Sequence, residues 1–114
     1  MNISVTPAYF TRRWEALEDI RELGMHPVEM QVPPVSNKSH WHSFSTRIYI
    51  VEGELHITDS ASKRVLNAGP GALVEVPERV LHSEESDCGY AIIAGMSVDP
   101  AALTGPIDLE PGLL

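Results

Sequence analysis

The sequence is poor in cysteine and has no long hydrophobic run. Cys88 is the one cysteine in 114 residues, which excludes an internal disulfide and a multi-cysteine zinc site. No stretch approaches the roughly 18 apolar residues that a membrane-spanning helix needs. Residues 1–11 show no basic cluster followed by an apolar run, so no secretory signal is recognisable. A cytoplasmic protein is therefore the default expectation.

Lysine and arginine are absent from the last quarter of the chain. Residues 84–114 contain six acidic residues and no basic one, and the whole chain has a formal net charge of −8. An acidic surface repels phosphate groups and anionic lipids, so we expect neither nucleic-acid binding nor membrane-surface binding. We interpret the acidic end as a solvated edge and tail.

The remaining composition is typical of one globular domain. Hydrophobic residues make up 43% and charged residues 21% of the chain, which excludes a disordered protein. Nine prolines and eight glycines indicate many turns and therefore short β-strands. The length is sufficient to bury one hydrophobic core.

One helix is predicted near the start, over residues 8–23. Thr6 is a suitable capping residue, Pro7 suits the first helical position, and Gly24 suits the end of the helix. Steps of three and four residues place a set of apolar side chains on one side of this helix, namely Phe10, Trp14 and Leu17. Residues 33–39 contain two adjacent prolines and several polar residues, so they are predicted to form a loop.

The chain after this loop has the pattern of short β-strands. Segments rich in β-branched and aromatic residues, or alternating polar and apolar ones, lie at 47–51, 54–58, 64–66, 73–76 and 90–94. Turn residues separate them, including Gly53, Gly71 and Pro77. A spacing of roughly 8–12 residues is typical of an antiparallel sandwich or a closed barrel.

Two of the five histidines form the pattern His40-Trp41-His42. In a strand, residues two apart point to the same face, so both imidazoles would project together, as two metal ligands do. Taken alone, the pair fits two ordinary polar histidines on a strand equally well. His26 and His56 have no such neighbours and are interpreted as structural or surface residues. Glu84, Glu85 and Asp87 are candidates to supply a carboxylate to a metal site, but the favoured interpretation is a solvated turn.

The same alternation predicts which side chains surround the histidine pair. If no bulge intervenes, Arg47 and Tyr49 face away from it. The side chains expected to face the same way as the histidines, and to form a mostly apolar pocket, are Phe44, Thr46, Ile48 and Ile50.

The spacing around these histidines resembles the cupin superfamily. Its two motifs are G-x5-H-x-H-x3,4-E-x6-G and G-x5-P-x-G-x2-H-x3-N. The first is matched by His40, His42 and Gly53, and the second by Gly71, Pro77 and His82. The resemblance covers residues 34–96. It implies an all-β fold, the cupin double-stranded β-helix or jelly-roll barrel, with one short N-terminal helix.

The resemblance also implies a domain organisation. Residues 1–114 would form one small cupin domain, in which 34–96 are the barrel core. Residues 1–33 would supply an N-terminal helix and strand, and 97–114 a C-terminal tail that packs along the surface or against a partner. Because an open barrel has unpaired strand edges, we expect a homodimer.

The departure from the cupin pattern that matters most for chemistry is Thr46. It stands in the place of the glutamate ligand, whereas Pro34, Arg79 and Ser86 replace turn residues. The resemblance therefore implies a metal site made by three histidines, His40, His42 and His82. Such an ion keeps its full 2+ charge and an open position, which suits an incoming anion, water or dioxygen.

Cupins include enzymes of several classes as well as binding modules, so the fold does not determine the reaction. The leading hypothesis is a metal-dependent enzyme acting on a small organic acid or other oxygenated metabolite. Iron(II) is the first choice of metal, with nickel, zinc and manganese as alternatives. Two other hypotheses stay open: a non-catalytic cupin that binds or senses a small ligand, and a cupin that has lost its metal.

Overall fold

The chain consists mainly of short antiparallel strands. The computed structural model describes residues 2–114, within which there are nine strands and one α-helix. The helix is α1 (Arg13–Glu22), and two 3₁₀ helices span Pro100–Ala102 and Pro111–Leu113. The strands are β1 (Ser4–Thr6), β2 (His26–Val32), β3 (Val35–Ser36), β4 (Thr46–Gly53), β5 (Leu55–Asp59), β6 (Arg64–Ala68), β7 (Leu73–Val76), β8 (His82–Ser86) and β9 (Tyr90–Met96).

The strands form two sheets, and every strand pair is antiparallel. One sheet has the order β1-β7-β4-β9-β2, and the other has the order β3-β8-β5-β6. The register in the first sheet pairs Thr46 of β4 with Val76 on one side and Met96 on the other. The all-β prediction is confirmed. Among the strands within residues 2–114, only β5 and β6 pair as consecutive strands, and the other pairs join strands that are distant in the sequence.

Two hydrophobic cores lie on opposite faces of the five-stranded sheet. The larger core includes Ile50 and Ile57, both fully buried, and is built from residues of both sheets. The smaller core lies under α1, where Ala16 and Ile20 of the helix pack with Tyr49 of β4. No helix within residues 2–114 is long and apolar enough to cross a membrane.

The helix is shorter than its sequence pattern predicts. It begins at Arg13, because Thr6 pairs with Leu73 in β1 and Ala8 has a positive φ of 52°, which a helix does not allow. The backbone N–H of Arg12 donates to the Glu15 carboxylate at 2.8 Å, and this contact caps the helix. The predicted apolar side is wrong at Trp14, which is 61% exposed. The end at Gly24 agrees with the structure, since its φ is +68°.

Glu84 and Glu85 lie in a strand, so the prediction of a solvated turn is wrong for them, whereas Asp87 is exposed in the bend that follows β8. β8 pairs with β5 through residues 82–85 and with β3 through Glu85 and Ser86. Its sequence, His-Ser-Glu-Glu-Ser, has little intrinsic preference for a strand, so pairing on both sides determines its conformation.

The C-terminal tail packs along its own barrel. Trp41 and Leu109 form an antiparallel backbone bridge, with N–O distances of 3.1 and 2.9 Å. The Trp41 indole N–H also donates to the Glu110 carbonyl at 2.8 Å. The tail is thereby fixed beside the segment that carries His40 and His42.

Candidate metal centre

Three histidines meet beside a cavity between the two sheets, and two of them, His42 and His82, line it. His40 and His82 face each other across a backbone bridge, with N–O distances of 2.8 and 2.9 Å in the two directions. His42 points to the same side as His40, whereas Trp41 between them is packed in the opposite direction against the tail. One ring nitrogen from each histidine lies within 4.8 Å of one ring nitrogen from each of the others.

Each of these imidazoles is held by a backbone carbonyl through its Nδ1 atom. The distances are 2.8 Å from His40 to Lys38, 3.0 Å from His42 to Ile107 and 2.8 Å from His82 to Val80. A carbonyl oxygen only accepts hydrogen bonds, so Nδ1 carries the proton in all three rings. The Nε2 atom is then the nitrogen left to bind a metal ion. In metal-binding histidines, a hydrogen bond from the ring nitrogen that does not bind the metal fixes the orientation of the ring, and the Nδ1 contacts have that form here.

A carboxylate lies among the histidines, from a segment that the sequence analysis interpreted as a solvated turn. Glu84 follows His82 by two residues on β8, so both side chains point to the same face. Its Oε1 atom is 2.9 Å from Nε2 of His40 and 3.6 Å from Nε2 of His82, and its side chain is 17% exposed. The Tyr90 hydroxyl donates to Oε2 at 3.4 Å. If β8 had been predicted as a strand, the alternation His82-Ser83-Glu84 would have placed Glu84 on the same face as His82.

The charges of these groups depend on one another. Burial lowers the pKa of His40, but the hydrogen bonds to Glu84 and to the Lys38 carbonyl outweigh burial and raise this pKa to about 8. Burial raises the pKa of Glu84, but the hydrogen bond from His40 and the nearby histidines lower it overall. Burial lowers the pKa of His82. Glu84 is therefore held as a carboxylate beside the histidines.

The cavity next to the histidines has a volume of about 270 Å³. Phe44, Thr46 and Ile48 line it, as the strand alternation predicts, and Phe44 stacks on His42 with ring centroids 5.2 Å apart. Ile50 is fully buried in the larger core and does not line the cavity. Further apolar walls come from β2 and β9, including Val28, Val32, Ile92, Ala94 and Met96.

A second carboxylate, that of Asp108 in the tail, lies at the mouth of the cavity. Its Oδ1 atom is 3.6 Å from Nδ1 of His42 and 3.8 Å from Nε2 of His40, and its side chain is 62% exposed. Water screens a carboxylate this exposed, so its attraction for the histidines is weaker than that of Glu84.

The other residues that the sequence analysis considered lie away from this centre. Arg47 and Tyr49 are on the opposite face of β4, where both contact Asp19 of α1. His56 is bonded to Asn67 at 2.5 Å on the neighbouring strand. His26 begins β2 and pairs with Met96.

Comparison with known proteins defines the fold. No family model and no curated protein sequence matches the chain. Among solved structures, an RmlC-like cupin from Shewanella frigidimarina matches with a TM-score of 0.56 and 22% identity, over 69% of this chain and 71% of the other. A DUF861 family protein from Thermotoga maritima matches with a TM-score of 0.59 and 13% identity, over 82% of this chain and 97% of the other. The chain has the cupin fold.

The cupin fold is shared by proteins with different activities. A TDP-quinovose 3,4-ketoisomerase from Campylobacter jejuni matches over 74% of this chain and 68% of its own, with a TM-score of 0.58 and 10% identity. At such low identities the similarity establishes the cupin barrel and leaves the reaction open.

Two turn positions show why the cupin pattern places glycines where it does. Gly53 has a φ of +79°, and a Cβ atom there would lie 2.1 Å from the Gly89 carbonyl oxygen, so only glycine fits. Arg79 replaces the glycine of the second motif and keeps the left-handed conformation, with a φ of +65°. Its guanidinium lies 5.4 Å from the centre of a Trp41 ring, a contact that glycine could not make.

The donor set fits a divalent metal ion. Imidazole nitrogens suit zinc, iron, nickel and copper, and carboxylates extend the range to manganese. The Nδ1 contacts leave Nε2 as the ligand atom in each ring. His40 and His82 are buried and His42 is half-buried, so the centre is shielded on most sides and open toward the cavity.

Proposed function

We propose that this cupin is a metal-dependent enzyme acting on a small organic acid or other oxygenated metabolite, with His40, His42 and His82 as metal ligands. The observation that carries the proposal is the convergence of three imidazoles whose Nδ1 atoms are all bound to backbone carbonyls. Metal-binding histidines are oriented in this way by a hydrogen bond from the second ring nitrogen, whereas surface histidines that bind no metal are not held in one common orientation.

Iron(II) is our first choice of metal, and nickel, zinc and manganese are the alternatives. A divalent ion held here would supply Lewis acidity or the ability to activate dioxygen. The three histidines and their carbonyl partners are arranged before binding, so little rearrangement of side chains is required.

The cavity supports a small and partly apolar substrate. Its volume of about 270 Å³ suits a metabolite of modest size, and its apolar walls would hold a carbon skeleton and exclude water. Thr46 lines the same cavity as Phe44 and Ile48, and its hydroxyl is a donor available to an oxygen of the substrate. An anionic group on the substrate would be attracted to the remaining positive charge of the centre.

The metal content of the protein tests the proposed site. Purified protein should hold about one equivalent of a divalent metal, and His82→Ala should lose most of it, because three ligands fix the ion together. His56→Ala is the matched control, since it removes an imidazole bonded to Asn67 outside the centre. Elemental analysis that finds no metal after purification without chelators, and none after reconstitution, would overturn the proposal.

A second experiment separates an enzyme from a ligand-binding or sensing cupin. The protein is loaded with iron(II) under anaerobic conditions and screened against small organic acids, then exposed to air. Product formation supports the enzyme. An increase in melting temperature with a ligand that is never converted supports the binding or sensing alternative.

The homodimer and the cytoplasmic location remain predictions from the sequence, as does the absence of nucleic-acid and membrane partners. β2 supports the dimer, because it is an edge strand of the five-stranded sheet and its Met30 is 47% exposed.

A further inference from the structure

We propose that Glu84 is the fourth metal ligand of this cupin, so that β8 supplies the carboxylate that the cupin pattern places on β4 at position 46. The inference rests on the proposed metal site and goes beyond it. The centre then contains three histidines and one carboxylate, and two of its four ligands, His82 and Glu84, come from one strand.

The distances support this role. Two ligand atoms that each lie about 2.1 Å from one ion are about 3.0–3.4 Å apart, the smaller value at a right angle and the larger at a tetrahedral angle. The Oε1 atom of Glu84 is 2.9 Å from Nε2 of His40 and 3.6 Å from Nε2 of His82. One separation is just below this range and the other is just above it, so a shift of a few tenths of an ångström in the side chains brings both to the spacing of atoms that share one metal ion.

The position of Glu84 is fixed by its surroundings. Its backbone N–H donates to the Asn37 side-chain carbonyl at 2.6 Å, and β8 pairs with β5 through the neighbouring residues. The Tyr90 hydroxyl contacts Oε2 at 3.4 Å, which turns Oε1 toward the histidines. The Glu84 side chain is only 17% exposed and contacts two histidines, His40 and His82. Burying a charge is unfavourable unless it is paired, so the carboxylate is not placed here as an ordinary surface residue.

Moving the carboxylate to β8 changes the wall of the cavity. The cupin pattern has a glutamate at position 46, whereas this chain has a small neutral threonine there. Thr46 lies on the wall that also contains Phe44 and Ile48. The centre keeps the charge of a three-histidine, one-carboxylate site, while the β4 side of the cavity stays free for a substrate.

Metal titration of the Glu84→Gln variant tests the inference. Glutamine has the same size and, in the metal-free protein, still accepts a hydrogen bond from Nε2 of His40. It lacks the negative charge with which a carboxylate binds the ion. The control is Glu85→Gln, which makes the same change of net charge at the next residue, an exposed one on the other face of β8. Both variants and wild type are titrated with cobalt(II), and affinity and visible absorption are measured together.

We expect Glu84→Gln to weaken cobalt binding by more than about 100-fold, beyond the roughly 10–100-fold loss caused by removing an outer hydrogen-bond partner. Its cobalt spectrum should also change, because one donor is replaced. Glu85→Gln should match wild type in both. If Glu84→Gln binds within a few-fold of wild type with the same spectrum, Glu84 is not a ligand. If folded wild-type protein itself binds no cobalt, the proposed metal site fails instead.

Discussion

Thr46 determines how much space the centre leaves on the β4 side. Its side chain lines the cavity, between Phe44 and Ile48 along the chain, and its backbone pairs with Val76 and Met96 in neighbouring strands. Pairing on both sides fixes the direction of the side chain, so a longer residue at position 46 would extend into the same cavity. Position 46 is therefore the place to test the geometry of the centre from the β4 side.

Replacing Thr46 with glutamate should add a carboxylate ligand to the centre. We expect Thr46→Glu to tighten divalent metal binding and to weaken the binding of small carboxylates, because the new side chain occupies the open position. Isothermal titration with zinc and then with acetate or oxalate measures both effects. Thr46→Gln, with the same length and no charge, is the matched control.

The same substitution should also rescue the loss of Glu84. In the Glu84→Gln background, Thr46→Glu restores one carboxylate to the centre, so metal affinity should return toward that of wild type. If Thr46→Glu changes neither metal binding nor anion binding in either background, the side chain at position 46 does not reach the ion.

The three histidines were predicted as a set from the sequence, whereas Glu84 was considered as a carboxylate donor but interpreted as part of a solvated turn. The pattern His40-Trp41-His42 requires only that residues two apart share a face, and the resemblance to cupins added His82. Glu84 lies at no position that the cupin motifs specify, and the five residues of β8 do not resemble a strand. Its role depends on pairing with β3 and β5, which is tertiary information.

At the scale of elements, the C-terminal tail is part of the centre. The Ile107 carbonyl orients His42, and Leu109 holds the backbone of Trp41. Ile107 and Asp108 also line the cavity. Because Trp41 lies between His40 and His42, docking of the tail fixes both histidines at once.

Removing the tail should weaken the metal centre without unfolding the barrel. A chain that ends at Gly105 loses the carbonyl partner of His42, and we expect about 10–100-fold weaker metal binding. Trp41, now 6% exposed, should also become accessible, which fluorescence quenching by acrylamide detects.

Two controls identify the cause of that effect. Deletion of Leu113 and Leu114 alone leaves the contacts of Trp41 and His42 in place and should bind metal like wild type. Asp108→Asn keeps the backbone and removes only the exposed carboxylate. A full loss of affinity in Asp108→Asn, equal to that of the truncated chain, would show that the carboxylate and not the Ile107 carbonyl is responsible.

The elements that were predicted correctly are those with a strong local pattern. β4, β5 and β9 alternate or are rich in β-branched residues, and β6 and β7 lie between clear turn signals. The predicted segments overlap all five of these strands. The helix start was wrong because Thr6 and Pro7 form a good local cap signal, whereas pairing of Thr6 with Leu73 in β1 takes precedence. Short edge strands such as β1 and β3 have two or three residues, too few for any periodicity to show.

At the scale of the whole molecule, one polar cluster joins the helix to the barrel. The Asp19 carboxylate of α1 accepts hydrogen bonds from Tyr49 at 2.6 Å, from Arg47 at 3.0 Å and from Tyr9 at 3.0 Å. Arg47 also pairs with Glu75 on β7. This cluster lies on the opposite face of β4 from the metal centre, so it can be altered without touching the histidines.

The stability of the protein in acid should depend on Asp19. Burial raises the pKa of this carboxyl, but the hydrogen bonds from Tyr49, Tyr9 and Arg47 outweigh burial and lower the pKa below its ordinary value. A group whose pKa is lower in the folded state stabilises that state at pH values above its ordinary pKa, and this contribution disappears as the pH falls through the folded value. At neutral pH, Asp19→Asn should therefore lower the free energy of unfolding by about 1–2 kcal/mol.

The difference between wild type and Asp19→Asn should shrink as the pH falls from about 5 to about 2, because protonation removes the same charge from the wild type. Urea unfolding followed by circular dichroism at several pH values measures this. Glu22→Gln, which removes an exposed carboxylate from the same helix, is the control and should change stability by no more than about 0.5 kcal/mol. A difference for Asp19→Asn that stays constant from neutral pH to pH 2 would mean that its charge does not hold the helix to the barrel.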